Sequence, residues 1–166
     1  MEKLNSTELN ERGLSMEYGW SEKLARELVE CSRQQHIIDN TPKDAGERFA
    51  DFDAAMKWYE SGNRFIYSLW DREDKLAGII WYGVRPREDL GAANTFAIRL
   101  YKQSQGTGAS LPFMQAAHHD FEQRVDDSSV WLETYSTNER ALRLYESFGY
   151  QKVSEENRRV TMVLGK

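Results

Sequence analysis

Between Gln103 and Ala109 the chain reads Gln103-Ser104-Gln105-Gly106-Thr107-Gly108-Ala109, a Q-x-x-G-x-G spacing. An apolar strand signal, Phe96, Ala97 and Ile98, precedes it. A helix pattern follows, with Leu111, Met114 and Ala117 recurring at three-residue spacing and Phe113 and Phe121 beside them. A strand, a glycine turn and a helix N-terminus together form an anion cradle, because the first amides of a helix lack intrachain partners and the helix dipole favours negative charge there. Glycine suits such a turn because a side chain would block a ligand's approach to the backbone or forbid the dihedrals. The spacing is not that of a P-loop, which needs Lys-Ser or Lys-Thr after its last glycine. Nor is it a dinucleotide fingerprint, which needs a third glycine in register. The same turn also serves as plain architecture, so the ligand has to be argued from elsewhere in the chain.

A second constellation lies about thirty residues on. Val130-Trp131-Leu132-Glu133-Thr134-Tyr135 reads as a strand, and Asn138, Ala141, Leu144, Tyr145, Gly149 and Tyr150 follow in the pattern Asn-x-x-Ala-x-x-Leu-Tyr with a closing Gly-Tyr. With the glycine turn upstream, this order and separation resembles the GNAT superfamily of N-acetyltransferases over roughly residues 64–165. The resemblance implies an α/β (α+β) fold: a mixed central β-sheet of about six to seven strands, opened by a V-shaped splay and flanked by about four helices. It implies one domain over 1–166.

It also implies acetyl-CoA as co-substrate. Phe96, Ala97 and Ile98 would then flank the pantetheine arm, with Phe96 and Ile98 pairing their backbone groups to its amides. The amides of Gln105, Gly106, Thr107, Gly108 and Ala109 would receive the pyrophosphate, and Gln103 and Ser104 line the same turn. Ser104 stands where many relatives carry glycine. Tyr145 takes the place of the family's tyrosine at the CoA sulfur, and an unperturbed phenol is protonated at neutral pH, as an acid for the leaving thiolate must be. Asn138 hydrogen-bonds the pantetheine or caps the following helix, or does both. Glu133 corresponds to the base of the protein N-terminal acetyltransferase branch; a strand carboxylate beside Val130 and Leu132 is a candidate for desolvation, against the alternative of a surface carboxylate paired to Lys or Arg. A water relay is the other route for the amine's proton.

Composition narrows the partners. With 166 residues the chain is large enough for one sizeable core, and five Trp, eight Tyr and seven Phe argue against disorder. The net charge of -5 speaks against nucleic acid and suits a cationic amine. A single cysteine, Cys31, leaves no partner for an intrachain disulfide, and neither Cys pairs nor an H-E-x-x-H pattern suggests a metal. No membrane-spanning run or signal core is seen in the sequence, which points to a cytoplasmic protein.

Other elements must hold these residues in place. Residues 1–15 suggest a short strand or a frayed end. Ser21 caps a helix carrying Leu24, Leu28 and Cys31, residues 36–42 break it at Pro42, and a second helix spans about Ala45 to Glu60 with Phe49, Phe52, Met56 and Tyr59 buried and Trp58 off the stripe. Arg64–Trp70 and Lys75–Val84 form a hairpin about Asp71–Asp74, with close packing expected at Gly78 and a bulge at Gly83. His118 and His119 are read as partly exposed helix residues. The final residues form a hairpin, and edge pairing through the C-terminal strand offers a route to a homodimer. The acceptor is either a small-molecule amine or a protein N-terminal or lysine amine. The alternative to an enzyme is a non-catalytic acyl-CoA sensor or interaction module.

Overall fold

The hairpin of β3 (Arg64–Trp70) and β4 (Leu76–Arg87) is the middle of the molecule, because its residues are apolar on both faces and so need cover on both sides. The computed structural model describes residues 1–164, so residue 165, the end of the family-like stretch, lies outside them. β1 (Glu2–Leu4), α1 (Thr7–Glu11), β2 (Ser15–Tyr18), α2 (Glu22–Ser32), α3 (Gln35–Asn40) and α4 (Phe52–Glu60) precede the hairpin. β5 (Ala92–Leu100), α5 (Ser110–Arg124), β6 (Val130–Tyr135), α6 (Glu139–Phe148), β7 (Tyr150–Glu156) and β8 (Arg159–Leu164) follow it. All eight strands join one mixed sheet in the order β1-β2-β3-β4-β5-β6-β8-β7. Its neighbours are antiparallel except β5 and β6, which run parallel.

Successive β4 residues point to opposite faces and divide the core in two. Ile80 and Tyr82 meet Phe113, Met114, Ala117 and Phe121 of α5, with Tyr82 stacked on Phe121 at 4.0 Å. Ile79 and Trp81 meet Leu24 and Leu28 of α2 and Trp58 of α4. Gly78 permits the first of these layers to close. A Cβ there would sit 3.0 Å from the Arg99 carbonyl oxygen and 3.4 Å from the Phe113 ring.

Several expectations need correction. Among the described residues the sheet has eight strands rather than six or seven, and six α-helices flank it rather than four; residues 1–15 do hold the short strand β1, while elements such as α1, β2 and α3, stabilised by docking and not by their own periodicity, were not expected. Residues 36–40, expected to break the helical pattern, are themselves the helix α3. The single helix expected over 45–60 is two pieces, a π-turn at Asp44–Arg48 and then α4, restarted by Asp51, whose carboxylate accepts from the Ala54 amide at 2.8 Å. Trp58, with Ala55, is buried in α4, whereas Tyr59 is exposed. The bulges fall at Leu69/Trp70 and Val84/Arg87, and Gly83 pairs regularly with Arg64 and Thr95. The C-terminal strand β8 lies between β6 and β7, so it offers no free edge for dimerisation. As expected, the Ser21 hydroxyl caps α2 by accepting from Leu24 N at 3.1 Å. Among the described residues no helix is long and apolar enough to cross a membrane.

Candidate active site

β5 and β6 are paired at two positions alone, Asn94 with Val130 and Thr95 with Trp131, after which they diverge. This is the expected V. Backbone polarity alternates along β5: the Asn94 amide donates to Ser129 on the β6 side, and the Tyr101 amide donates to Ala77 on the β4 side. The N–H and C=O groups of Phe96 and Ile98 therefore turn into the gap, where none of the described strands meets them. Such edge groups call for partners, which an extended molecule with amides of its own can supply. The Ile98 carbonyl is engaged by the Arg99 side chain at 2.9 Å, so it meets any newcomer already half satisfied.

The gap opens into a cavity of about 540 Å³ lined by Phe96, Ala97, Ile98, Ser104, Gln105, Glu133, Asn138 and Tyr145, eight of the residues singled out in the sequence. The remaining turn residues do not line it. Gln103 and Thr107 line a separate hollow with Arg12, the Gln103 side-chain oxygen is buried with no hydrogen bond among the described residues, and Ala109 is buried. Gly106 and Gly108 hold φ of 74° and 68°, the left-handed region where a side chain is strained.

The amides of the turn divide in an informative way. Gln105 N donates to Lys102, Thr107 N to Ser104, and Ala109 N to the Thr107 hydroxyl. Among the described residues, the amides of Gly106, Gly108, Ser110 and Leu111 have no acceptor, and the next residue, Pro112, has no amide to satisfy. This run of donors at the start of a four-turn helix is chemically suited to an anion. Arg12, which caps the C-terminus of α1, braces the turn from outside, donating to the Thr107 carbonyl at 2.9 Å.

Tyr145 is set into the wall by α6, its ring edge-on to Phe96 at 6.1 Å and 5.8 Å from Tyr150. Burial pushes its phenol up to about 12, with the Arg99 charge acting in the opposite direction, so it is protonated at neutral pH. Asn138 caps α6, its side-chain oxygen accepting from the Ala141 amide at 3.2 Å, and its NH₂ group has no acceptor among the described residues. Glu133 is exposed at the rim, not enclosed beside Val130 and Leu132. His118 is partly buried, within 3.4 Å of the Tyr82 hydroxyl, and burial lowers its pKa; its neighbour His119 is exposed.

The sequence reading passed over the basic side of the cavity. His36 of α3 reaches the Leu100 carbonyl through Nε2 at 3.0 Å, and Arg99, Arg140, Arg143 and Arg159 also line the wall. Arg140 and Arg143 sit inside the matched α6 motif, where alternation with Ala141 and Leu144 already marked them as facing away from the core. Arg99 is fixed by Asp44: burial raises that carboxyl, but the Arg99 guanidinium, with help from Arg48, more than offsets it and holds Asp44 below the usual carboxylate value.

The acetyltransferase (GNAT) family matches residues 22–150, most of the chain. The chain belongs to this family. No curated protein matches it in sequence. Among solved structures it resembles spermidine N-acetyltransferase from Vibrio cholerae in complex with CoA and spermine, at 15% identity and a TM-score of 0.70 over 91% of this chain and 93% of that one. It also resembles AAC(6')-Ib in complex with ribostamycin and coenzyme A, at 16% identity and a TM-score of 0.73 over 93% and 94%. A third is the ribosomal-protein-S5-alanine acetyltransferase of Vibrio fischeri, at 12% identity and a TM-score of 0.66 over 97% and 94%. At these identities the likeness speaks for the fold. The three neighbours differ in what their names say they acetylate or bind, so they leave the acceptor to be argued from the cavity itself.

Proposed function

We propose that this GNAT protein transfers the acetyl group of acetyl-CoA to a primary amine by direct attack within a ternary complex. The observation that carries the reading is the V between β5 and β6, with Phe96 and Ile98 backbone groups that no described strand pairs on one arm, free turn amides at its end and a protonated, buried Tyr145 in its wall. The cofactor's pantetheine amides match the edge groups of β5, and its pyrophosphate matches the free amides of Gly106, Gly108, Ser110 and Leu111. Gln103, Ser104, Gln105, Thr107 and Ala109 shape the turn that presents them. Asn138 can donate to a pantetheine carbonyl while capping α6.

Acetyl-CoA supplies an activated acyl group as a thioester. The amine nitrogen forms a bond to the carbonyl carbon and the carbon–sulfur bond breaks. Tyr145 gives its phenolic proton to the departing sulfur and is restored by a proton that originated on the amine. One further proton must leave the incoming ammonium, and Glu133, exposed at the rim, passes it to solvent directly or through water. The products balance as amide, CoA thiol and one proton.

The deciding experiment is a thermal-shift titration with acetyl-CoA, CoA and ATP in parallel, since a ligand that binds only the folded chain raises its melting point according to concentration over affinity. Stabilisation by both CoA species and not by ATP is the expected result, followed by thiol release with amines. Stabilisation without thiol release from any amine overturns the enzyme reading in favour of an acyl-CoA-binding module. Indifference to both CoA species overturns the site.

A further inference from the structure

Among the described residues the cavity wall carries one carboxylate, Glu133, against Arg99, Arg140, Arg143 and Arg159. Two of these arginines are already neutralised, Arg99 by Asp44 and Arg143 by Glu139 at 3.2 Å. Among the described residues no carboxylate comes within ion-pair distance of the other two, Arg140 of α6 and Arg159 of β8, and even Glu156, opposite Arg159 in the β7–β8 register, does not reach it. Of these two, Arg159 is the one on the sheet beside Glu133. Its guanidinium instead lies over the Tyr135 ring, 4.2 Å from the centroid, a placement that holds a cation in position without discharging it.

The register between β6 and β8 relates this guanidinium to the acid. Glu133 is opposite Thr161, and Tyr135 is opposite Arg159. Cross-strand partners share a face and alternate residues return to it, so Glu133, Tyr135, Arg159 and Thr161 all stand on one side of the sheet. Glu133 and Arg159 are thus diagonal neighbours, with backbones about 7–8 Å apart, and no ion pair joins them. Arg87, occupied with Asp89, adds positive charge within electrostatic reach of Glu133.

An acid and a base on one face, each without an ion-pair partner among the described residues, match a ligand carrying both charges close together. An ammonium hydrogen-bonded to Glu133 and a carboxylate hydrogen-bonded to Arg159, each at about 2.8 Å, span such a gap with a short molecule between them. A polyamine is matched poorly, because after its first ammonium it meets Arg159 and Arg87 rather than a second carboxylate. We infer that the acceptor is a primary amine bearing a carboxylate a few bonds away, an amino acid or a close relative, with its ammonium at Glu133 and its carboxylate at Arg159. The inference rests on the acetyl-transfer reading above.

The test uses the full chain with acetyl-CoA, thiol release as the readout, and three sets of probes: the free amino acids, their C-terminal amides, and spermidine. One or more free amino acids should be acetylated with kcat/KM at least about ten-fold above the matching amide and above spermidine. Arg159→Gln should raise KM for that amino acid by about ten-fold or more while changing kcat less, and Arg159→Lys should recover part of the loss. Faster turnover of the amides or of spermidine overturns the inference. So does equal loss of acid and amide turnover in Arg159→Gln, or weaker acetyl-CoA stabilisation in that variant, which would assign Arg159 to the cofactor. If acetyl-CoA stabilises the chain and no amino acid is acetylated, this inference falls while the cofactor site stands. If acetyl-CoA fails to stabilise the unmodified chain, both fall.

Discussion

In the turn between β5 and α5 the backbone carries the information, whereas in the layer of α2, α3 and α4 the side chains do. Gly106 and Gly108 hold left-handed dihedrals and, with Ser110 and Leu111, keep their amides free, and little apolar surface is involved. The helical layer shows the reverse arrangement. Phe49, Trp58 and Trp81 interlock edge to face, at 5.0 Å and 5.3 Å, and the backbone bends to suit them, through a π-turn and a restart at Asp51. A ligand site made of peptide groups tolerates change in nearly every side chain except those whose absence defines it. A packed layer tolerates backbone irregularity but not the loss of a ring.

That contrast is open to attack from both sides. Gly106→Val or Gly108→Val should abolish stabilisation by acetyl-CoA altogether with the circular dichroism spectrum retained; persistence of the shift in both variants would mean that the turn does not bind the anion. Trp58→Ala should lower unfolding stability by about 3–5 kcal/mol in denaturant titrations while leaving acetyl-CoA affinity near its original value. Tyr59→Ala, one residue on, removes an exposed ring stacked on Trp20 at 4.7 Å and should cost only about 1 kcal/mol. A reversal of the two would restore the burial stripe read from the sequence.

Tyr145→Phe should slow kcat by on the order of 10²-fold and keep acetyl-CoA binding; unchanged turnover removes its role as acid. Because burial raises its pKa to about 12 from an ordinary 10, the phenol adds stability that is complete below about pH 10 and fades as pH rises toward 12. The limb of a pH–rate profile between pH 6 and 9 should therefore be the same for wild type and Tyr145→Phe. The smallest effect is expected at Arg12→Ala. Losing the brace on the Thr107 carbonyl should weaken acetyl-CoA binding by about five-fold, the value of about 1 kcal/mol for one hydrogen bond, with no change in kcat. An effect on kcat instead would separate Arg12 from the turn.

Much of the β5–turn–α5 region and of α6 was legible because the physical demands are local. A left-handed turn asks for glycine where it occurs, Asn138 caps the helix that begins at the next residue, and Gly149 ends it with φ of 117°. The arginines were visible as residues but not as a group. Arg159 reaches the cavity only because β8 inserts between β6 and β7, and His36 only because α3 docks beside the end of β5. Glu133 shows the same limit, since flanking Val130 and Leu132 suggested enclosure while the sheet left it at the rim.

By itself the sequence determined the order of strands and helices around the cradle, the positions that must be glycine, and the family that uses them. These follow from dihedral preference, capping and periodicity, each of which acts within a few residues. Only the tertiary structure decided how far β5 and β6 stay paired, which amides of the turn remain free, that Trp58 rather than Tyr59 faces the core, and that Glu133 and Arg159 share a face. Those outcomes depend on register and on packing between segments far apart in the chain, where the energy of a contact is fixed by partners that no local pattern names.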